Sequence, residues 1–160
     1  FGQYDEWKDD AGLDWPLLQY PLHDSMSRYV RKLNRLYASH PPFWLADHDP
    51  GGFAWIDAGN AEQSVLSFCR RGGTHDPPIV AICNFSRRAY AAFRIGVPVP
   101  GRYALLLNSD EADFGGAGHH VPAETAAAGI PLHGQPHSIE VPLPALSILL
   151  WTLTETVAQS

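Results

Sequence analysis

An antiparallel β-sandwich preceded by a loop and one amphipathic helix is the fold class this sequence predicts, and three observations carry it. About seven short runs rich in β-branched and aromatic residues follow one another at hairpin-like spacing. A single helical period stands before them and none between them, so no βαβ alternation supports a parallel sheet. The 14 glycines and 14 prolines fall between the apolar runs as turn punctuation rather than in one block. With 160 residues, 45% of them apolar, the chain can bury one sizeable core and part of a second.

Taken in order, residues 1–20 place Asp5, Glu6, Asp9 and Asp10 beside Trp7 and Trp15 with neither a 2.0 nor a 3.6 period, which reads as loop with short turns. Met26, Tyr29, Val30, Leu33, Leu36 and Tyr37 then recur at helical spacing, with Arg28, Arg31, Lys32 and Arg35 on the other face. This predicts a helix from Ser25 to Ser39, capped by Asp24 or Ser25 and stopped by Pro41-Pro42. The break at Pro41 divides the chain into residues 1–42 and an all-β part, 43–160. Strands are expected over Gly52 to Asp57, Val65 to Arg70, Ile79 to Asn84, Tyr90 to Ile95, Arg102 to Leu107, His137 to Val141 and Ser147 to Leu153. Ser109 to Pro136, rich in Gly, Ala and His, reads as an irregular excursion near a sheet edge.

The hairpin from Ser64 to Phe85 is the expected centre of the sheet and holds both cysteines. A symmetric loop from Arg71 to Pro78 sets Cys69 opposite Val80 and Cys83 opposite Leu66, so the sulfurs face opposite ways and cannot be bridged. Free thiols packed as small hydrophobes are the expectation. A net charge of -6, with basic residues gathered only along that one helix face, argues against a nucleic-acid partner, and none is expected. No apolar run is long enough to span a bilayer and no leader pattern opens the chain, so a soluble protein without membrane association is expected. The first residue is Phe1 rather than Met, which suggests a fragment or processed product.

Catalytic and metal chemistry find little support. His133 and His137 stand at i, i+4, but Gly134 and Pro136 bar a helix between them; with His119-His120 they read as loop histidines bonding backbone, and no metal or cofactor is expected. Asp5, Glu6, Asp9 and Asp10 lack the rigid strand ends an acid/base pair needs. G-x-S-x-G, P-loop and G-x-G-x-x-G patterns are absent. The remaining signal is Trp7, Trp15, Trp44, Trp55 and Trp151, since an exposed indole can stack on a sugar ring. Trp151, in SILLWTL, reads as core. On its strand, Trp55 shares a face with Phe53 and Asp57, and it faces solvent if Ala54 and Ile56 face the core.

The run FGQ...EWKDDAGLDWPLL, YVRKLNRLY, DPGGFAWIDA, SVLSFCRRG, CNFS, GVPVPGRYALLLNSD and HGQPHSIEVPLPALSILLW resembles, in order and over nearly the whole chain, the C-terminal end of bacterial 1,4-α-glucan (glycogen) branching enzymes of the α-amylase superfamily. The resemblance weakens between Glu111 and Ile130. It implies that residues 1–42 are the last loop and helix of a catalytic (β/α)8 barrel and that 43–160 form the C-terminal β-sandwich. The catalytic carboxylates would then lie upstream of Phe1, leaving this chain inactive alone. The resemblance also implies an α-glucan partner, glycogen or amylose, with Trp55 near bound glucan and with Glu6 and Trp7 at the rim of the catalytic face. A stand-alone carbohydrate-binding module, and the C-terminal domain of a related trehalose-releasing hydrolase, are the alternatives.

Overall fold

The computed structural model describes residues 2–4 and 9–156. A 3-10 turn, Trp15–Gln19, leads into helix α1, Pro21–Ser39. Eight strands follow among the described residues: β1 Phe53–Asp57, β2 Val65–Arg70, β3 Ile79–Asn84, β4 Tyr90–Val97, β5 Gly101–Asn108, β6 Glu124–Ala126, β7 His137–Leu143 and β8 Ser147–Thr156. They form a six-stranded sheet in the order β1-β2-β3-β8-β5-β6 and a two-stranded sheet, β4-β7, with every pairing antiparallel. The expected all-β architecture is present, and each expected strand appears with its ends moved by at most a few residues.

Two elements depart from expectation. Helix α1 begins at Pro21 rather than at Ser25, because proline's fixed φ suits the first helical position and its missing N–H costs nothing there. Asp24 therefore sits inside the first turn, where its carboxylate meets Arg28 at 2.8 Å across one turn. Strand β6 lies within the stretch expected to be irregular; its three residues pair with Arg102, Tyr103 and Ala104 and close that edge of the large sheet. So short a strand carries too little pattern to be read, and its pairing to β5 defines it.

The β2–β3 register matches expectation residue for residue, with Leu66 opposite Cys83 and Cys69 opposite Val80. Strand β3 is buried along its whole length because both faces of the large sheet are covered. On the inner face, Cys69, Val80, Ile82, Tyr103, Leu149 and Trp151 pack against Ile95, Val97, Ile139, Val141 and Leu143 of the small sheet. On the outer face, Ile79, Ala81, Leu107 and Leu150 pack beneath α1 through Leu36, with Tyr29 and Leu33 partly buried beside it. Burying Leu36 contributes about 1.5–3 kcal/mol. The structure is thus a helix, a large sheet and a small sheet in layers.

The apolar face of α1 is divided by this packing. Tyr29, Leu33 and Leu36 turn to the sheet, whereas Leu22, Met26, Val30 and Tyr37 remain exposed. The segment after α1 is clamped by Arg70 of β2, whose Nε donates to the Pro42 carbonyl at 3.2 Å and whose Nη2 donates to the Phe43 carbonyl at 3.1 Å. The same guanidinium pairs with Asp47.

Candidate functional site

Strand β1 is one edge of the large sheet, opposite to β6, and carries Trp55. Ladder pairing sets Ala54 opposite Cys69 and Trp55 opposite Phe68. Because Cys69 belongs to the inner core, Trp55 projects from the outer face, with 55% of its surface in solvent. Phe53 lies edge-on to the indole at 5.0 Å and 90°, and Phe68 at 6.1 Å and 86°. Phe53 and Phe68 stack on each other at 5.4 Å and 30°, and Phe68 rests on the cluster beneath α1. Trp55 is therefore propped by two rings, of which Phe68 is seated on that cluster and Phe53 is stacked on Phe68. An indole held in this way offers a flat, preorganised apolar surface at little further entropic cost.

Asp57 does not share that surface, contrary to the strict alternation expected from the sequence. A β-bulge at Ile56 sets Asp57 opposite Ser67, a buried residue of the inner face, and Ile56 itself enters the inner core. The carboxylate of Asp57 instead faces His133 Nε2 at 3.6 Å. The bulge separates the charge from the platform and breaks the regularity of an exposed sheet edge, which discourages pairing with another strand. Strand alternation alone gives no sign of it.

The histidines serve the loops. His133 (φ 52) and Gly134 (φ 71) form a two-residue turn in which Leu132 and Gln135 exchange backbone hydrogen bonds of 3.0 and 2.9 Å. His133 Nδ1 accepts from Gly96 N at 3.4 Å, and His137 opens β7, so the two do not share a helix. His119 Nδ1 lies 2.8 Å from the Asp110 carboxylate, which also accepts from the backbone N–H groups of Ala117 and His119, each at 2.9 Å. Burial pushes the Asp110 carboxyl upward, but these hydrogen bonds and the His119 charge outweigh it and hold the group below its ordinary value. The described residues hold no cluster of three metal-ligating side chains.

Both cysteines are buried free thiols on opposite faces of the sheet. Burial pushes Cys83 up to about 11. It also raises Cys69, against a smaller downward pull from Arg71 and Arg70. Neither is a nucleophile in this state.

Of the residues assigned from sequence, Glu6, Trp7 and Asp5 lie outside the described residues. Asp9 and Asp10 are exposed, as is Trp15. Trp151 is fully buried in the inner core. Alternation within DPGGFAWIDA sets Phe53 on the face of Trp55, but the meeting of both with Phe68 depends on the β1–β2 register, which neither stretch carries alone.

Residues 55–154 match the family described as alpha amylase, C-terminal all-beta domain. The chain is 43% identical over 148 residues, 92% of its length, to the 1,4-alpha-glucan branching enzyme GlgB of Geobacillus stearothermophilus, and equally so to that of Bacillus caldolyticus. It is 40% identical over 94% of its length to the corresponding enzyme of Oceanobacillus iheyensis. The chain spans about a quarter of the length of these relatives, 22–24%. The matched span begins at Trp55 on β1 and runs to Thr154 on β8, so the sandwich itself carries the match, and the chain belongs to the alpha-amylase C-terminal all-beta domain family.

Proposed function

We propose that this chain is the C-terminal part of a cytoplasmic glycogen branching enzyme, itself non-catalytic, which supports an upstream (β/α)8 barrel and contacts α-glucan through Trp55. The observation that carries the glucan contact is the propped, half-exposed indole on the outer face of β1. Residues 1–42 are the end of the barrel and 43–160 the sandwich, with α1 lying between the two. The exposed stripe of α1 supports this reading, since a helix apolar on two sides has a second surface to meet. Two reduced, buried thiols suit a reducing compartment. In the whole protein the reaction would break an α-1,4 linkage on a carboxylate nucleophile and pass the glucan to a 6-hydroxyl, using groups upstream of Phe1. Glu6 and Trp7 would stand at the rim of that site.

Native gels cast with glycogen test the reading: the chain is retarded, and Trp55→Ala abolishes the retardation. Alone, the chain leaves the iodine colour of amylose unchanged. Branching by the pure chain would overturn the assignment of catalysis to upstream groups. Retardation by a gene product no longer than this chain would instead identify a stand-alone carbohydrate-binding module, which the same exposed indole favours.

A further inference from the structure

The loop after β2, residues 71–78, is joined to the turn that leads into β1 by Arg71 N, which donates to the Gly52 carbonyl at 3.0 Å. Both segments are tightly made. A Cβ at Gly52 would lie 2.1 Å from the Ala46 carbonyl oxygen, and one at Gly72 would lie 2.4 Å from Asp76 Oδ2, so glycine is what lets these backbones close up. Each turn is fixed by one carboxylate oxygen: Asp49 Oδ1 accepts from Gly51 N and Asp76 Oδ2 from Gly73 N, both at 2.7 Å. The turn between β4 and β5 adds Pro98 and Val99, and the fully buried Tyr103 steadies it by donating its hydroxyl to the Val99 carbonyl at 2.8 Å.

These segments line a pocket of about 410 Å³, inside the range of about 300–1,000 Å³ that small-molecule sites occupy. Its lining is mixed. Asp49, Asp76, Thr74 and Arg71 supply acceptors, a hydroxyl and a cation, while Pro78, Pro98 and Val99 supply an apolar wall. Among the described residues, Asp49 Oδ2 and Asp76 Oδ1 accept no hydrogen bond and Arg71 forms no ion pair, so donors and acceptors stand unspent in one pocket. The charge pattern selects the occupant. A free anion meets two carboxylates, a metal cation meets the guanidinium, and a wholly apolar molecule strips water from charged groups without replacing it. A neutral polyhydroxyl molecule avoids all three penalties, because its hydroxyls donate to the carboxylates and accept from the guanidinium. Past Thr74 and Asp76 the pocket adjoins a second hollow of about 500 Å³ beside Thr154 and Glu155, which offers the same kinds of group to a longer chain.

We infer that this pocket is a second α-glucan subsite, separate from the Trp55 platform, which takes a short stretch of chain through Arg71, Asp49 and Asp76. The inference rests on the function proposed above. Gly52 stands directly before β1 and three residues before Trp55, about 10 Å of extended strand. Platform and pocket are thus carried by one edge strand, and two weak contacts on a rigid body hold a polymer of many chains more tightly than either does alone.

Arginine labelling of the product of the whole encoding gene tests this, with peptide mass spectrometry reading each site. Under p-hydroxyphenylglyoxal, about 10 mM maltotriose is expected to slow modification of Arg71 at least about threefold and to leave that of exposed Arg87, in the loop after β3, unchanged. The protection survives Trp55→Ala. It disappears in Gly51→Leu, which adds an apolar side chain where a Cβ meets only the Asp49 carboxylate, at 3.2 Å. Equal protection by glycerol at the same concentration marks a general polyol effect and overturns the inference, as does protection that is lost with Trp55→Ala. Where glycogen still retards that protein in native gels, an unprotected Arg71 overturns this subsite alone; absence of both retardation and protection overturns the proposed function as well.

Discussion

Trp55 stands directly opposite Phe68 across the β1–β2 ladder, with ring centroids 6.1 Å apart and planes nearly perpendicular at 86°. One partner is half in solvent, and the other rests on the hydrophobic cluster beneath α1. The exposed ring and the ring that supports the fold are thereby divided between two facing residues. Trp55→Ala is expected to weaken apparent affinity for glycogen by at least about tenfold, enough to abolish the retardation, while leaving stability nearly unchanged. Phe68→Ala is expected to cost about 1–3 kcal/mol in urea denaturation, because it opens a hole under the helix. Affinity gels and denaturation curves on the two variants check the division.

The Asp110 carboxylate organises the loop that meets α1. Two backbone donors and His119 converge on it, and the neighbouring turn reaches the helix through Phe114, whose ring lies 5.3 Å from that of Tyr29 and tilted by 57°, and through Arg28 Nε, which donates to the Asp113 carbonyl at 3.0 Å. A carboxyl with a depressed folded pKa contributes stability that is present above its ordinary value of 3.8 and lost as pH falls through the folded value. Asp110→Asn should therefore cost about 1–3 kcal/mol at pH 7, and the gap from the unsubstituted chain should narrow as pH drops below 3.8. Urea titrations at pH 7 and near pH 3 measure it.

Cys69 and Cys83 project from opposite faces of adjacent strands, and burial raises both thiol pKa values. At pH 8 neither is expected to react with an aromatic disulfide reagent in the folded protein, while both should titrate once the chain is unfolded in urea. Rapid reaction of either in the native state would contradict their burial.

Gly101 and Gly129 provide a paired test of backbone packing. A Cβ at Gly101 would come within 1.8 Å of the Glu155 carbonyl oxygen at a φ of +147, whereas one at Gly129 meets nothing within 4 Å. Gly101→Ala is expected to lower stability by about 2–4 kcal/mol, because the β5–β8 ladder must spread to admit the methyl group. Gly129→Ala should be close to neutral, and thermal melts of the two compare them directly.

Local pattern made the sandwich strands legible, because each is long enough to show alternation or an apolar run between turn residues. The hairpin register followed from the same logic: a symmetric loop pairs Cys69 with Val80, and the sulfurs part. The early start of α1 at Pro21 and the short β6 were not visible, the first because proline reads as a breaker, the second because three residues hold no period. The bulge at Ile56 was hidden for a different reason. It is a property of the pairing between β1 and β2, and no single strand encodes it.

By itself, then, the sequence determined the mainly β class, seven of the eight described strands along the chain, the pairing of the central hairpin, the burial of both thiols and the family resemblance, since all of these depend on patterns within a few residues or on motifs read in line. Only the tertiary structure decided that Trp55 is propped from below by Phe53 and Phe68, that Asp57 turns away toward His133, and that α1 is apolar on two sides with one of them covered. Those facts arise where strands distant in sequence meet, and the free energy that sets them is shared between both partners rather than carried by either.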